Sequence, residues 1–176
     1  MNKVVLALPL LVFLGFVGVG ILGLGHEKAA VVQHAGKPAP DFSLPLLEGK
    51  GAFTKTDLAK GQLVLVNYFA SWCAPCIAEH EFWGTVKGTE IPLIGIGYKD
   101  KPEKLKGFLQ KHGNPYKEVA VDAEGRTAIE WGVTGVPETF LLDGKGTILS
   151  HFAGPMSREV WEKHFVPFIS KGGATP

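Results

Sequence analysis

Leu63-Val64-Leu65-Val66-Asn67-Tyr68-Phe69-Ala70-Ser71-Trp72-Cys73-Ala74-Pro75-Cys76 is the stretch whose reading decides the fold. The apolar run from Gln62 to Ala70 reads as a buried β-strand. Pro75 to about Val86 reads as a helix, with the proline in the first turn, where its missing N–H has no helical partner. The two cysteines between them are the only two of the 176-residue chain. Thiols two residues apart can close into a small-ring disulfide and reopen, and at a strand-to-helix junction this pattern implies thiol–disulfide exchange.

Composition narrows the alternatives. Apolar residues make up 45% and charged residues 20%, so one compact domain with a real core is expected. A net charge of +1 gives no electrostatic case for nucleic acid. One possible disulfide does not make a stapled scaffold, so the cysteines read as reactive. A structural zinc site normally needs four ligands. No second cysteine pair exists, and the six histidines are scattered. A copper site on Cys73, Cys76 and His80 is the remaining metal alternative. The sequence implies no metal and no organic cofactor: the dithiol is itself the redox centre. Gly95-x-Gly97 lacks the third glycine of a dinucleotide fingerprint.

The chain divides into three parts. Val4 to Gly25 carries no charge and is long enough to span a hydrocarbon core of roughly 30 Å at about 1.5 Å per residue. Residues 1–25 therefore read as a transmembrane anchor or signal-anchor. A cleaved signal peptide ending near Gly23-Leu24-Gly25 is the competing reading. Residues 26–37 read as a linker closed by Lys37-Pro38-Ala39-Pro40, and residues 38–176 as the folded domain.

Within that domain, Asp41 to Leu44 alternates like a short strand, Gly49-Lys50-Gly51 marks a turn, and Thr56-Asp57-Leu58 opens a helical turn. Ile91 to Gly97 is a second apolar strand. Pro102 to His112 is a helix with Leu105, Phe108 and Leu109 on one face. These elements form a β-α-β unit, which implies parallel pairing and a right-handed crossover. Thr139 to Leu142 and Thr147 to Ser150 flank Asp143-Gly144-Lys145-Gly146 as a hairpin. A last helix is expected from Ser157, its N-cap, through Val160, Trp161, His164, Phe165 and Phe168.

A β-α-β half followed by a β-β-α half, with Cys-x-x-Cys after the first core strand, resembles the thioredoxin fold. This implies an α/β architecture with a central mixed sheet flanked by helices. Gly135-Val136-Pro137 just before the hairpin strengthens the resemblance, because that family carries a cis-proline there.

The chemistry then distributes over a few positions. Cys73, at the helix start, is the expected attacking thiol, since backbone N–H groups and the helix dipole favour an anion there. Cys76, one turn inside, is the expected resolving thiol. Trp72 and Pro75 shape the motif and its contact surface. Beside Pro137, Val136 is expected to offer backbone hydrogen bonds to an extended substrate. Glu79 and Glu138 are expected to face the dithiol. Nearby carboxylates disfavour a thiolate, which makes the couple more reducing, roughly −200 to −270 mV. Asn67 departs from ordinary thioredoxins, which have an acid at this place. A proton relay then falls to Glu79 or Glu138.

Several stretches narrow the resemblance. They are Ala39-Pro40-Asp41-Phe42, Trp72 to His80, Gly97-Tyr98-Lys99-Asp100, Gly113-Asn114-Pro115-Tyr116 and Gly135-Val136-Pro137-Glu138-Thr139-Phe140. Together they resemble the DsbE/CcmG family of cytochrome c biogenesis proteins. The Ala-Pro-Asp-Phe entry also occurs in peroxiredoxins, but no peroxidatic Pro-x-x-x-Thr-x-x-Cys is present. The resemblance implies a single-pass protein of the bacterial inner membrane with its domain in the periplasm. It implies reduction of the Cys-x-x-Cys-His disulfide of apocytochrome c before haem attachment. The implied partners are a membrane thiol reductant of the DsbD/CcdA type and the cytochrome c maturation machinery. It maps an acidic site onto Glu79 and Glu138, and makes Tyr98 to Tyr116 an insertion that shapes a groove. A general extracytoplasmic reductase and an apocytochrome c-binding module with secondary redox activity are the alternative readings.

Overall fold

The computed structural model describes residues 35–86 and 91–170, together with Phe13. The anchor segment 1–25 and most of the linker therefore lie outside the described residues. No helix among the described residues is long and apolar enough to cross a membrane.

The chain opens with a two-stranded hairpin, β1 (Ser43–Pro45) and β2 (Ala52–Thr54), and one helical turn, α1 (Lys55–Leu58). Thr54 starts that turn: its N–H donates to the Asp57 carboxylate at 2.9 Å, a capping-box contact. β3 (Val64–Phe69), α2 (Ala74–Val86) and β4 (Leu93–Tyr98) form the β-α-β unit. α3 (Pro102–His112), β5 (Glu118–Asp122) and α4 (Arg126–Glu130) follow, then β6 (Glu138–Leu142), β7 (Ile148–Ala153), α5 (Arg158–His164) and α6 (Val166–Ile169).

The main sheet runs β5-β4-β3-β6-β7. β3 pairs parallel to β4 and antiparallel to β6, so the sheet is mixed and β3 is its centre. All six residues of β3 are buried, as an apolar run without alternation requires. Its side chains alternate between two cores. Leu65 and Phe69 pack with Trp83 of α2 and with Leu105, Phe108 and Leu109 of α3. Val64, Val66 and Tyr68 pack on the other face with Trp131, Phe140 and the hairpin residues Leu44 and Phe53. This is the thioredoxin-like α/β fold.

The glycines of β4 have a packing reason. A Cβ at Gly97 would collide with Leu105, and one at Gly95 with the rings of Phe69 and Tyr116. Both positions let neighbours lie directly on the strand.

The structure adds to and corrects the sequence reading in three places. β2, β5 and α4 were not expected. β5 begins with the exposed Glu118 and is five residues long, too short to show a clear period. Gly36 and Lys37, read as linker, already hydrogen-bond with Ile148 at the start of β7. The last helix is broken at Phe165, because Pro167 has no N–H to continue the ladder; Phe168 and Ile169 donate instead to the Phe165 carbonyl.

Candidate active site

Cys73 and Cys76 are joined in a disulfide. Cys73 directly precedes α2, and the backbone N–H of Cys76 points at its Sγ at 3.1 Å. This is the position an N-cap side chain takes, with sulfur in the acceptor's place. On reduction, the same N–H and the helix dipole favour the thiolate of Cys73. Cys76 is enclosed in the helix-side core.

The opposite wall comes from the turn before β6. The Val136–Pro137 bond is cis. The Val136 carbonyl lies 3.4 Å from Cys73 Sγ, so the backbone of this turn reaches that sulfur. Around them the surface is apolar and open: Trp72 is 58% exposed and Ile77 41%. Pro75 is also exposed.

The two carboxylates part company. Glu79 lies on the inner face of α2, one turn after Cys76. Its Oε1 accepts from the Asn67 side-chain amide at 2.9 Å and its Oε2 from the Met156 backbone N–H at 2.9 Å. Burial dominates and pushes its pKa up to about 7, against the pull of these hydrogen bonds.

Glu138 does not share that side of the sheet. It pairs with Tyr68, whereas Thr139 pairs with Asn67, and neighbouring strand residues point to opposite faces. The Glu138 Oε1 accepts from the N–H and the hydroxyl of Thr134 at 2.8 and 2.7 Å and from the N–H of Gly135 at 3.0 Å. Its Oε2 lies 2.7 Å from His151 Nε2. Burial alone would raise this carboxyl; the contacts to His151 and Thr134 outweigh it and hold the pKa below the ordinary value. The expectation that both acids face the dithiol is thus corrected. Glu138 lies on the opposite face and ties down the turn that carries Val136.

The matches to known proteins agree with this geometry. The redoxin family model matches residues 34–165. The thiol:disulfide interchange protein HelX of Rhodobacter capsulatus is 41% identical over 172 residues, covering 97% of this chain and 98% of the relative. DsbE of Escherichia coli K12 is 35% identical, covering 97% and 96%. The chain belongs to the DsbE/HelX family of thiol:disulfide interchange proteins. A solved structure from Chlorobium tepidum, named as a DsbE-type interchange protein, superposes with a TM-score of 0.63 at 25% identity, covering 82% of this chain and 99% of that one. With its Cys-x-x-Cys pair, this DsbE/HelX protein is a thioredoxin-like disulfide oxidoreductase.

Asp100 and Lys99, which the sequence marks only as part of a family-like stretch, help hold the DsbE/HelX site. Asp100 accepts from the N–H of Ser71 at 2.7 Å and of Lys101 at 2.8 Å, which ties the loop before Cys73 to the start of α3. The Lys99 carbonyl accepts from the Trp72 indole N–H at 3.3 Å. Lys99 has φ 46°, an uncommon conformation for a lysine, and this loop is where the structure needs it. His80, the third donor of the copper alternative, lies 2.7 Å from the Gly113 carbonyl through Nε2. Burial lowers its pKa, so at neutral pH the ring is uncharged and Nε2–H is the donor. The described residues contain no cluster of three metal-binding side chains. An acid directly after a strand-ending Gly-Tyr-Lys was the available signal for Asp100. Nothing in the sequence pointed to His151, Thr134 or Met156.

Proposed function

We propose that this protein reduces the Cys-x-x-Cys-His disulfide of apocytochrome c before haem attachment. The observation that carries the reading is the seating of Cys73 Sγ: at a helix start, 3.4 Å from the Val136 carbonyl, beside the exposed Trp72. An extended client strand laid along Val136 brings its disulfide to Cys73. Residues 1–25 serve as a single-pass anchor in the bacterial inner membrane, with the domain in the periplasm.

The exchange has two halves. The Cys73 thiolate attacks one client sulfur; the client S–S bond breaks, and the leaving sulfur departs with the bonding pair and takes a proton. The Cys76 thiol then gives its proton to Glu79, through water, and attacks Cys73 Sγ. The second client sulfur leaves and is protonated. The client has gained two electrons and two protons, and Cys73–Cys76 is the disulfide. A membrane thiol reductant of the DsbD/CcdA type restores the dithiol. Trp72, Pro75 and Val136 form the client groove, and Pro137 sets its turn.

Replacing Cys76 with Ser blocks the second half and traps clients on Cys73. Capture chiefly of apocytochrome c and one membrane reductant is the expected result. A broad set of unrelated secreted proteins overturns the dedicated role in favour of general reduction, and a reduction potential more positive than about −180 mV overturns the reductant role altogether. A Cys73→Ser, Cys76→Ser variant that still supports cytochrome c assembly makes the protein a binding module instead.

A further inference from the structure

Asn67 lies fully buried at the centre of a polar chain linking four distant segments. Its Oδ1 accepts from the Tyr116 hydroxyl at 2.8 Å. Its Nδ2 donates to Glu79 Oε1 at 2.9 Å and to Thr139 Oγ1 at 3.1 Å. An amide has one acceptor end and one donor end. Whatever fixes one end decides what the other offers. With the Tyr116 hydroxyl donating to Oδ1, the amide presents its N–H groups to Glu79 and Thr139.

We propose that Tyr116 is a positioning residue for proton transfer: its hydroxyl locks Asn67 in the orientation that gives Glu79 a donor, and so fits Glu79 to take the proton of Cys76. This rests on the reading of Glu79 as that acceptor. With Asn67 Nδ2 on one oxygen and the Met156 N–H on the other, Glu79 meets donors at both oxygens, an arrangement suited to the carboxylate. An unlocked Asn67 could turn Oδ1 to Glu79 instead, and only the protonated acid can donate to it.

Tyr116 is suited to this task. Its ring stacks on Phe69 at 4.7 Å between centroids and meets the edge of His80 at 5.8 Å, and Gly95 leaves the space it fills. Its backbone N–H donates to the Asn114 side chain at 3.0 Å. Burial raises the phenol pKa well above its ordinary value, so the hydroxyl keeps its proton throughout the working range.

The surrounding titratable groups are engaged elsewhere. His80 bonds to the Gly113 carbonyl; His112 of α3 lies against Phe108 and His164 of α5 against Phe152. Glu138 and His151 pair on the far face of the sheet. Cys76, on the same helix as Glu79, becomes a titratable neighbour once reduced.

The test is the titration of Glu79 in the oxidised protein, followed by carboxyl carbon NMR, paired with the pH profile of Cys76-driven release from a mixed disulfide on Cys73. Tyr116→Phe keeps the ring and removes the hydroxyl. The expected result is a Glu79 midpoint raised by about one pH unit, a tenfold change in its protonation equilibrium, and release at pH 7 slowed about fivefold. Asn67→Ala, which removes the donor itself, shifts the midpoint in the same direction and stands in should Tyr116→Phe fail to fold. Glu79→Gln abolishes the inflection, and adding Tyr116→Phe to it changes nothing further. A midpoint unmoved or lowered in Tyr116→Phe, with the inflection still lost in Glu79→Gln, overturns the role of Tyr116 alone. An inflection that survives Glu79→Gln overturns the relay, and the inference with it.

Discussion

Glu79 and Glu138 are both 1% exposed, yet their chemistry diverges. On the helix side of the sheet, Glu79 takes the Asn67 amide on one oxygen and the Met156 N–H on the other, and burial lifts its pKa to about 7. On the other side, Glu138 takes three donors on one oxygen and His151 on the other, and its pKa falls. Desolvation pushes both acids upward and is deeper at Glu79; at Glu138 the contacts to His151 and Thr134 outweigh it. A carboxyl poised near neutrality can move a proton. One held ionised can only hold structure. The first sits a turn from Cys76, the second behind the turn that touches Cys73.

The comparison breaks most visibly at Glu138. Glu138→Ala leaves the Thr134 and Gly135 donors and His151 without their carboxylate partner. A loss of about 3–5 kcal/mol is expected in urea denaturation at pH 7, together with slower client reduction as Val136 loses its support. A loss under about 1 kcal/mol would show that the clamp contributes little.

Glu79 sharpens the contrast through pH. Its folded pKa lies above the ordinary 4.5, so the folded state binds the extra proton. Stability from this group is full below about pH 4.5, falls as pH rises to about 7, and is flat beyond, for a total of about 3 kcal/mol. Glu79→Gln removes that decline, read as a flatter dependence of unfolding free energy on pH from 5 to 8. Glu138 acts in the reverse sense: its stabilisation is present above the ordinary carboxylate pKa and is lost as pH falls through its lowered folded value. The acid limb should therefore survive in Glu79→Gln and vanish in Glu138→Gln.

The smallest expected effect on stability is at the rim between the two faces. Trp72→Ala should change unfolding free energy by no more than about 0.5 kcal/mol, since the side chain is mostly in solvent. If the rim receives the client, kcat/KM for a disulfide-bonded apocytochrome c peptide falls while reduction of a small disulfide is unchanged. Equal losses on both substrates would give Trp72 a role in placing Cys73 instead.

The core elements were legible because their signals are local. An unbroken apolar run, a proline two residues after Cys73, and Leu105, Phe108 and Leu109 at helical spacing each report on their own segment. β5 was not legible, because five residues beside a loop carry too little pattern. The orientation of Glu138 escaped for a different reason. Adjacent strand residues point to opposite faces, so placing Glu138 needed the pairing of Thr139 with Asn67, which lies 72 residues away.

By itself, the sequence determined the dithiol, its place between strand and helix, the turn that ends in Pro137, and the family. These follow from covalent spacing and from backbone preferences that act over a few residues. Only the tertiary structure decided which acid burial pushes up toward neutrality and which is held below its ordinary pKa. It brings Tyr116, Asn67, Glu79 and Met156 into one buried chain, and Glu138, His151 and Thr134 into another. The pKa of a buried carboxyl depends on which donors surround it, and only the fold assembles those donors from distant parts of the chain.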